Sequence, residues 1–379
     1  MVKSIPCIWM RGGTSKGGCF LQSDLAQNIE EQNTQLTRIY GGNDPSGREI
    51  DGMGGGTSTT SKAVIVGKRQ GEPNGVDYTF AQVDTTSALV DRKGNCGNMS
   101  STVGPFAIEA GLIEEVTEPV TQVRIFNTNT QKTIIAHVPV KGGKVVYQGD
   151  YAIAGVPGTA SKIQLDFLKP GGAVTGKLLP TGHVVDVLDV PGYGVFEVSI
   201  VDAANPLVFV RAKDLGISGS ELPAEIDGNP ELLKKMLAIR EAASVAAGIA
   251  KTLDEAKMVP AVPKFCFVAE PATYKTVSGT VISQIEIDLQ GRMLSMGKLH
   301  PTYAITGGVC TGVAAKIPGT IVNQIVGSAA LQSEIRIGHC GGTLSVGAEI
   351  EEDAGVFKAV CGTVYRTARV LMKGEVNLE

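Results

Sequence analysis

Gly94-Asn95-Cys96-Gly97-Asn98-Met99-Ser100-Ser101, running into Thr102-Val103-Gly104-Pro105-Phe106-Ala107-Ile108-Glu109-Ala110-Gly111-Leu112, decides how this chain reads. Two turn formers lead to a cysteine, and small polar residues then open an apolar helical segment. Such a junction holds a thiol at a helix N-terminus, where unpaired N–H groups and the helix dipole favour negative charge. A cysteine so placed tends toward thiolate, and a carboxylate can share the same donors. The same letters also fit a buried structural cysteine behind a Gly-Asn turn, since cysteine is among the most buried residue types. Gly104-Pro105 inside the proposed helix predicts a kink or an early end there.

On either side of this stretch the chain alternates short β-branched runs with turns. Residues 3–10 read as a strand running into Arg11-Gly12-Gly13-Thr14-Ser15-Lys16-Gly17-Gly18, and residues 19–21 resume extended structure. A polar helical patch at 24–40 precedes the loop Asp51-Gly52-Met53-Gly54-Gly55-Gly56-Thr57-Ser58-Thr59-Thr60-Ser61-Lys62, which feeds a strand at 63–66. Further strands are expected at 76–83, 120–126, 133–140 and 163–167. The Gly- and Pro-dense segment 170–183 reads as a domain joint, giving domains 1–183, with Lys62 and Cys96, and 184–379, with His300, the last strand being free to return to the first domain. The second half has strands at 184–188, 195–201, 207–210, 265–268 and 281–289, then short strands to the end. It has a helix at 230–250 (Leu233, Met236, Leu237, Ile239, Val245) and a nearly charge-free helix at 303–317. Pro301 fits a first helical position. The two halves rhyme: each carries short strands and a small-residue-rich apolar helix entered through a turn. That repeat predicts two helix N-termini facing one cleft, suited to a dianion.

Composition narrows the class. For 379 residues two domains are the natural expectation; 43% hydrophobic and 19% charged residues describe a soluble globular protein. A net charge of −4 gives no footprint for nucleic acid or an anionic membrane. Seven cysteines without a C-x-x-C pair argue against a disulfide framework and a zinc site, and suit a reducing cytoplasm. The apolar run 5–10 is too short for a secretion signal, and no run approaches a membrane span. Glycine stands out, with 48 residues, about 13% against an ordinary 7%.

The Gly54–Lys62 loop is neither a Walker nor a dinucleotide motif, because a strand follows it and the spacing differs. What remains is a flexible backbone with hydroxyls that can approach an anion closely, ending in a lysine whose stem must lie beside a buried strand. Lys16, in its own Gly-Gly-Thr-Ser-Lys-Gly-Gly setting, is an equal candidate by sequence. Thr14 and Ser15 can bond a carboxylate or simply their own backbone. His300 reads either as a helix cap or as a ligand contact, and His339 as structural. Cys7, Cys19, Cys266, Cys310 and Cys361 read as core cysteines.

Met10–Gly18, Gly52–Lys62 and Cys96–Ser101, with Gly155-Val156-Pro157-Gly158-Thr159, Lys177-Leu178-Leu179-Pro180-Thr181-Gly182, Asp202-Ala203-Ala204-Asn205-Pro206, Ser295–His300 and Arg366-Thr367-Ala368-Arg369, resemble the PrpF family of isomerases in order along the whole chain. The resemblance implies an α/β (α+β) fold like that of diaminopimelate epimerase: two pseudo-symmetric domains, each a curved, mostly antiparallel sheet around a central helix. It implies a cofactor-independent, metal-free enzyme that shifts a C=C bond in a small unsaturated di- or tricarboxylate by 1,3-proton transfer. Methylitaconate, going to dimethylmaleate, is the nearest match, with aconitate or methylaconitate as the alternatives. By position it assigns catalysis to Lys62 and Cys96. It assigns substrate contact to Thr14, Ser15, Gly54, Gly55, Gly56, Thr57, Ser58, Gly97, Asn98, Asn205, Met296, Lys298 and His300. The second cysteine of the epimerase falls near His300, where this chain has no thiol. The chain is also compatible with a homo-oligomer, with an epimerase on the same fold, and with a non-catalytic organic-acid binding protein.

Availability of the base follows from ordinary acidities. An unperturbed lysine is neutral about 0.04% of the time at pH 7, a handicap of roughly 4.6 kcal/mol, whereas a free cysteine is about 3% thiolate. A dianionic substrate raises both values, while burial lowers that of a lysine and raises that of a cysteine. On availability cysteine is the better base; the expectation is that Lys62 and Cys96 form the acid–base pair, with Lys62 also able to hold a carboxylate as ammonium.

Overall fold

A computed structural model describes residues 3–92, 94–295 and 297–378. The chain divides into two compact units, Met1–Asp166 with Tyr365–Glu379, and Phe167–Val364. The joint read at 170–183 lies just beyond the first boundary, inside the second unit.

The first unit opens with β1 (Lys3–Gly12) and β2 (Ser15–Leu21), an antiparallel pair in which Gly12 faces Ser15 at the tip. Helix α1 (Ile29–Tyr40) follows, capped by Asn28, whose side chain accepts from the N–H groups of Glu30 and Glu31, and stopped by Gly41 at φ 69°. Such a cap contributes about 1 kcal/mol. β3 (Lys62–Lys68) pairs parallel with β2 and antiparallel with β4 (Gly75–Val83), to whose end β5 (Val90–Asp91) adds. Helix α2 (Gly97–Glu109) comes next, then the antiparallel pair β6 (Val120–Asn127) and β7 (Lys132–Lys141), with β6 parallel to β4, and the short β8 (Lys144–Val145). α2 touches β1, β2 and β3 as well as β6, β7 and β8. A sheet whose distant strands all reach one helix has to curl around it. α1 covers the other face with Trp9, Leu36, Ile39, Tyr40, Ala63, Ile65 and Ala81.

α2 is not cut short at Gly104-Pro105. It runs on to Glu109 with residues 99–107 buried. Gly104 lies against β7, where an added Cβ would stand 2.7 Å from Val138. Close packing all round offsets the cost, about 3 kcal/mol, of a proline in a helix interior.

β9 (Ile163–Leu168) carries the chain across the boundary. The second unit then sets β10 (Asp186–Val190), β11 (Gly194–Ala203) and β12 (Asn205–Arg211) as an antiparallel meander. Helices α3 (Pro223–Asp227), α4 (Pro230–Ala246) and α5 (Leu253–Met258) lead to β13 (Lys264–Ala269), parallel to β12. The hairpin β14 (Tyr274–Lys275) and β15 (Val281–Ile282) precedes β16 (Leu289–Ser295), which pairs with β13 and with β17 (Lys298–Leu299). Helix α6 (Ile305–Lys316) and the short α7 (Ile321–Val326) lead to β18 (Ile335–His339), β19 (Gly342–Asp353) and β20 (Val356–Arg366). α6 lies against β11, β12 and β19, and Gly307, Gly308 and Gly312 leave no room for a Cβ beside Met293, Leu344 and the Gly347 carbonyl. α4 supplies the opposite face, with Met236, Ile239 and Ala243 in a core with Val198, Val208 and Phe265. The plan of the first unit is thus repeated. The chain finally returns to the first unit as β21 (Ala368–Leu378), antiparallel to β1 over its whole length.

Four expectations need correction. The strand expected over 281–289 is broken: Ser283 and Glu286 cap one another and fold 284–286 into a 3₁₀ turn, so the strand starts at Leu289. The Ser-x-x-Glu signal was present but outvoted by the alternation of apolar residues. α6 starts at Ile305, which leaves Pro301 outside the helix. Tyr303 is tied into the core through its hydroxyl to Thr311 and Cys266, holding the approach extended. The helix expected at 230–250 ends at Ala246. The last strands are long, with 12, 11 and 11 residues. Among the described residues no single helix is long and apolar enough to cross a membrane.

Candidate active site

Cys96 is the N-cap residue of α2 (φ −109°, ψ 101°), and no side chain caps this end. The helices α1, α4, α5 and α7 are all capped, by Asn28, Asn229, Thr252 and Thr320. The Cys96 carbonyl is occupied by the Ser100 N–H (2.9 Å) and hydroxyl (3.1 Å), whereas the first-turn donors of Gly97 and Asn98 keep the anion-attracting character of an open helix end. Cys7, Cys19, Cys266, Cys310 and Cys340 are buried, and burial pushes the Cys19 and Cys266 thiols up to about 12. Cys96 and Cys361 are only half-buried, and of these two only Cys96 sits at a helix start. Cys340 packs in the α4-side core and its thiol is likewise pushed up by burial.

The β1–β2 tip closes on this helix end. Asn98 Nδ2 donates to Thr14 Oγ1 at 3.0 Å, Thr14 is exposed, and Ser15 is buried. Gly13, at φ 51°, has no space for a side chain, since a Cβ there would stand 2.2 Å from Asn98 Oδ1. Gly155 of the Gly155–Thr159 motif approaches Thr14 from another loop, 3.2 Å from a built Cβ to its methyl.

Lys62 opens β3 and stands in register with Gly17, two residues past the start of β2. Ala63 and Ile65 belong to the α1-side core, so the alternation of the strand turns Lys62 and Val64 toward α2. Gly12 packs against Asn98 and Thr102 of α2 and faces Ser15, two residues before Gly17, so the start of β3 and the start of α2 lie at one end of the first unit's sheet. Lys62 is 9% exposed. Its Nζ donates to Gln82 Oε1 at 2.6 Å and lies 5.1 Å from the Phe80 ring centroid. Gln82 Nε2 in turn donates to the Ser61 carbonyl at 2.9 Å, and the Tyr40 hydroxyl donates to the Lys62 carbonyl. Lys16, its equal by sequence, is exposed.

Gly17 permits this pairing. An alanine Cβ there would stand 1.7 Å from the Lys62 carbonyl oxygen. Gly17→Ala should lose about 3 kcal/mol in denaturant unfolding and lose activity as Lys62 is displaced. Gly94→Ala, with nothing within 4 Å, should stay within about 1 kcal/mol of the parent.

The glycine loop behaves differently from its sequence reading. The Gly54 N–H donates to the Tyr40 carbonyl (3.0 Å) and the Gly56 N–H to Glu49 Oε2 (2.7 Å). Glu49, buried with a second bond from Ser61, is thus the anion this loop wraps. Gly54 and Gly56 shape the loop rather than present free donors. Gly55, Thr57 and Ser58 remain on its exposed side. Thr57 bonds the hydroxyls of Thr59 and Thr60, and the Thr59 carbonyl accepts from Lys16 N–H at 3.0 Å.

In the second unit, Asn205 starts β12 with its Oδ1 buried and unpaired, and Lys298 is exposed on β17. His300 lies before α6, not at its start. Its Nδ1 accepts from the Thr302 N–H at 3.0 Å, which puts the proton of the neutral ring on Nε2. Burial, then nearby Lys264, lowers its pKa. Met296 lies outside the described residues. Cavities of about 720 and 1080 Å³ in this unit and about 650 Å³ in the first are lined by none of these side chains. Glu49, Gln82, Tyr40 and Arg366 were given no role by sequence reasoning. Only Arg366 had a signal, as the first residue of a quoted motif.

The family model described as PrpF protein matches residues 1–379. The chain belongs to the PrpF family. This PrpF protein is 46% identical over 377 residues to the 3-methylitaconate isomerase of Eubacterium barkeri, covering 99% of this chain and 97% of that protein. It is 41% identical over 384 residues to the 2-methyl-aconitate isomerase of Shewanella oneidensis, covering 99% and 96%. Among solved structures, methylitaconate-delta-isomerase superposes with a TM-score of 0.90 at 44% identity, over 99% of this chain and 96% of that one.

Proposed function

We propose that this PrpF protein is an isomerase that moves a C=C bond within a small unsaturated dicarboxylate by a 1,3-proton shift, converting 3-methylitaconate to 2,3-dimethylmaleate. The observation that carries the reading is the Lys62 amine, nine-tenths buried, held by a neutral amide rather than a carboxylate, at the sheet end where α2 begins with a thiol and no cap. Relatives at 46% and 41% identity bear names of this reaction class.

In the proposed step a base takes the proton from the carbon that carries the methyl group and is both allylic and alpha to a carboxylate. The electron pair moves into the allylic system, the old double bond opens, and a proton is added at the terminal methylene to make a methyl group. One proton leaves and one returns, so no oxidant or reductant enters the balance. The step is difficult because a carboxylate resists further negative charge, so donors aimed at the developing dienolate supply much of the rate. Lys62 and Cys96 form the acid–base pair. The N–H groups of Gly97 and Asn98, with Thr14 and Ser15, hold the carboxylate ends. Seven free cysteines suit a reducing cytoplasm.

Proton NMR in heavy water with methylitaconate, aconitate and methylaconitate is the test. The expected result is loss of the vinylidene signals of methylitaconate and growth of methyl signals. Turnover of methylaconitate alone would favour the second reading, which the 41% relative supports. Exchange of an alpha proton without movement of the double bond would make the protein an epimerase and overturn the proposal.

A further inference from the structure

Arg366 closes β20 with its side chain only 9% exposed. Its Nη1 donates to the Tyr365 carbonyl at 3.0 Å, and its Nε is buried without a hydrogen-bond partner. Among the described residues it forms no ion pair. The groups that act on its charge are Tyr151 and Cys96, a phenol and a thiol rather than carboxylates. Burial pulls the guanidinium down to about 10, the mark of a cation out of water with no counter-charge. The stem passes Gly13: a Cβ on that glycine would stand 3.2 Å from Arg366 Cδ and 2.2 Å from Asn98 Oδ1, itself buried and unpaired. Arg366 thus lies beside the open first turn of α2, and an unpaired cation and an uncapped helix end both call for an anion.

We infer that Arg366 binds one carboxylate of the substrate, pairing its guanidinium with the anion that the first turn of α2 also holds. The assignment rests on the isomerase reading above and sharpens it. With Arg366 carrying a carboxylate, the Lys62 amine need not serve as an anion anchor and is left for proton transfer. A planar fork also fixes the orientation of the acid, which a point charge does not.

The test measures binding and stability separately, with 3-methylitaconate, 2-methylaconitate and saturated tricarballylate as probes in calorimetry. Arg366→Gln should weaken the best-bound acid about 10- to 100-fold, the usual range for losing a charged hydrogen-bonding partner, and Arg366→Lys should fall between. Because no anion among the described residues partners this charge, unliganded Arg366→Gln should melt no lower than the parent. Binding within threefold of the parent, or a variant that unfolds or melts well below it, would mark Arg366 as structural and overturn the inference. A parent protein that binds an acid but shifts no double bond defeats the isomerase reading, and the binding data then judge Arg366 separately. A parent that turns over with affinity indifferent to Arg366 defeats this inference alone. Failure to bind any of the three acids defeats both.

Discussion

Lys62→Ala should slow turnover by about 10⁴-fold in the NMR assay while the protein still folds. Removing a positioned acid–base group costs about 10²–10⁴, and here the loss falls on the group whose setting is most specialised. The amine is nearly buried and its hydrogen-bond partner is a single neutral amide. Truncation therefore leaves one amide oxygen unpaired, a loss of about 1–3 kcal/mol, and leaves the backbone bonds around residue 62 in place: Tyr40 to its carbonyl and Gln82 to Ser61. Circular dichroism should report a native spectrum with a melting point a few degrees lower. A variant within tenfold of the parent rate would remove Lys62 from the mechanism.

Cys96→Ser should move stability and rate in opposite directions. Serine is among the best N-cap residues, and the backbone at Cys96 already has N-cap geometry without a side-chain bond. The substitution should raise stability by up to about 1 kcal/mol. It should also lower the rate about 10²–10⁴-fold, because a hydroxyl replaces the thiol and then folds over the open N–H groups. Thermal melting and the NMR assay on one preparation check both signs. If one residue carries the proton across, product formed in heavy water retains part of the original hydrogen; two separate groups give full exchange. A Cys96→Ser enzyme at the parent rate would leave the cysteine a structural residue.

Much of the site was legible because its parts are local. The start of α2 was written in Gly94-Asn95-Cys96-Gly97, and the hairpin tip in Gly12-Gly13-Thr14-Ser15. Even so, Lys62 and Lys16 were equivalent as letters. What separates them is register: Gly17 lets the β3 backbone close in and turns Lys62 inward, while Lys16 points to solvent. The glycine loop misled for the complementary reason. Its donors looked free because Glu49, the anion they wrap, carries no motif. Arg366 is contributed by β20, far along the chain from α2, and no local pattern encodes that meeting. In the second unit, His300 and Pro301 looked like a helix start until the Tyr303 hydroxyl bonds set where α6 begins.

β21 has a further consequence for biosynthesis. The first unit holds the amine and the thiol, yet among the described residues the β1 edge facing away from β2 pairs with a strand that leaves the ribosome after the whole of Phe167–Val364. At about 5–20 residues per second, those roughly 200 residues delay that strand by about 10–40 s. Until then β1 offers an open edge to other nascent chains, so chaperone supply during translation, more than final stability, should govern soluble yield.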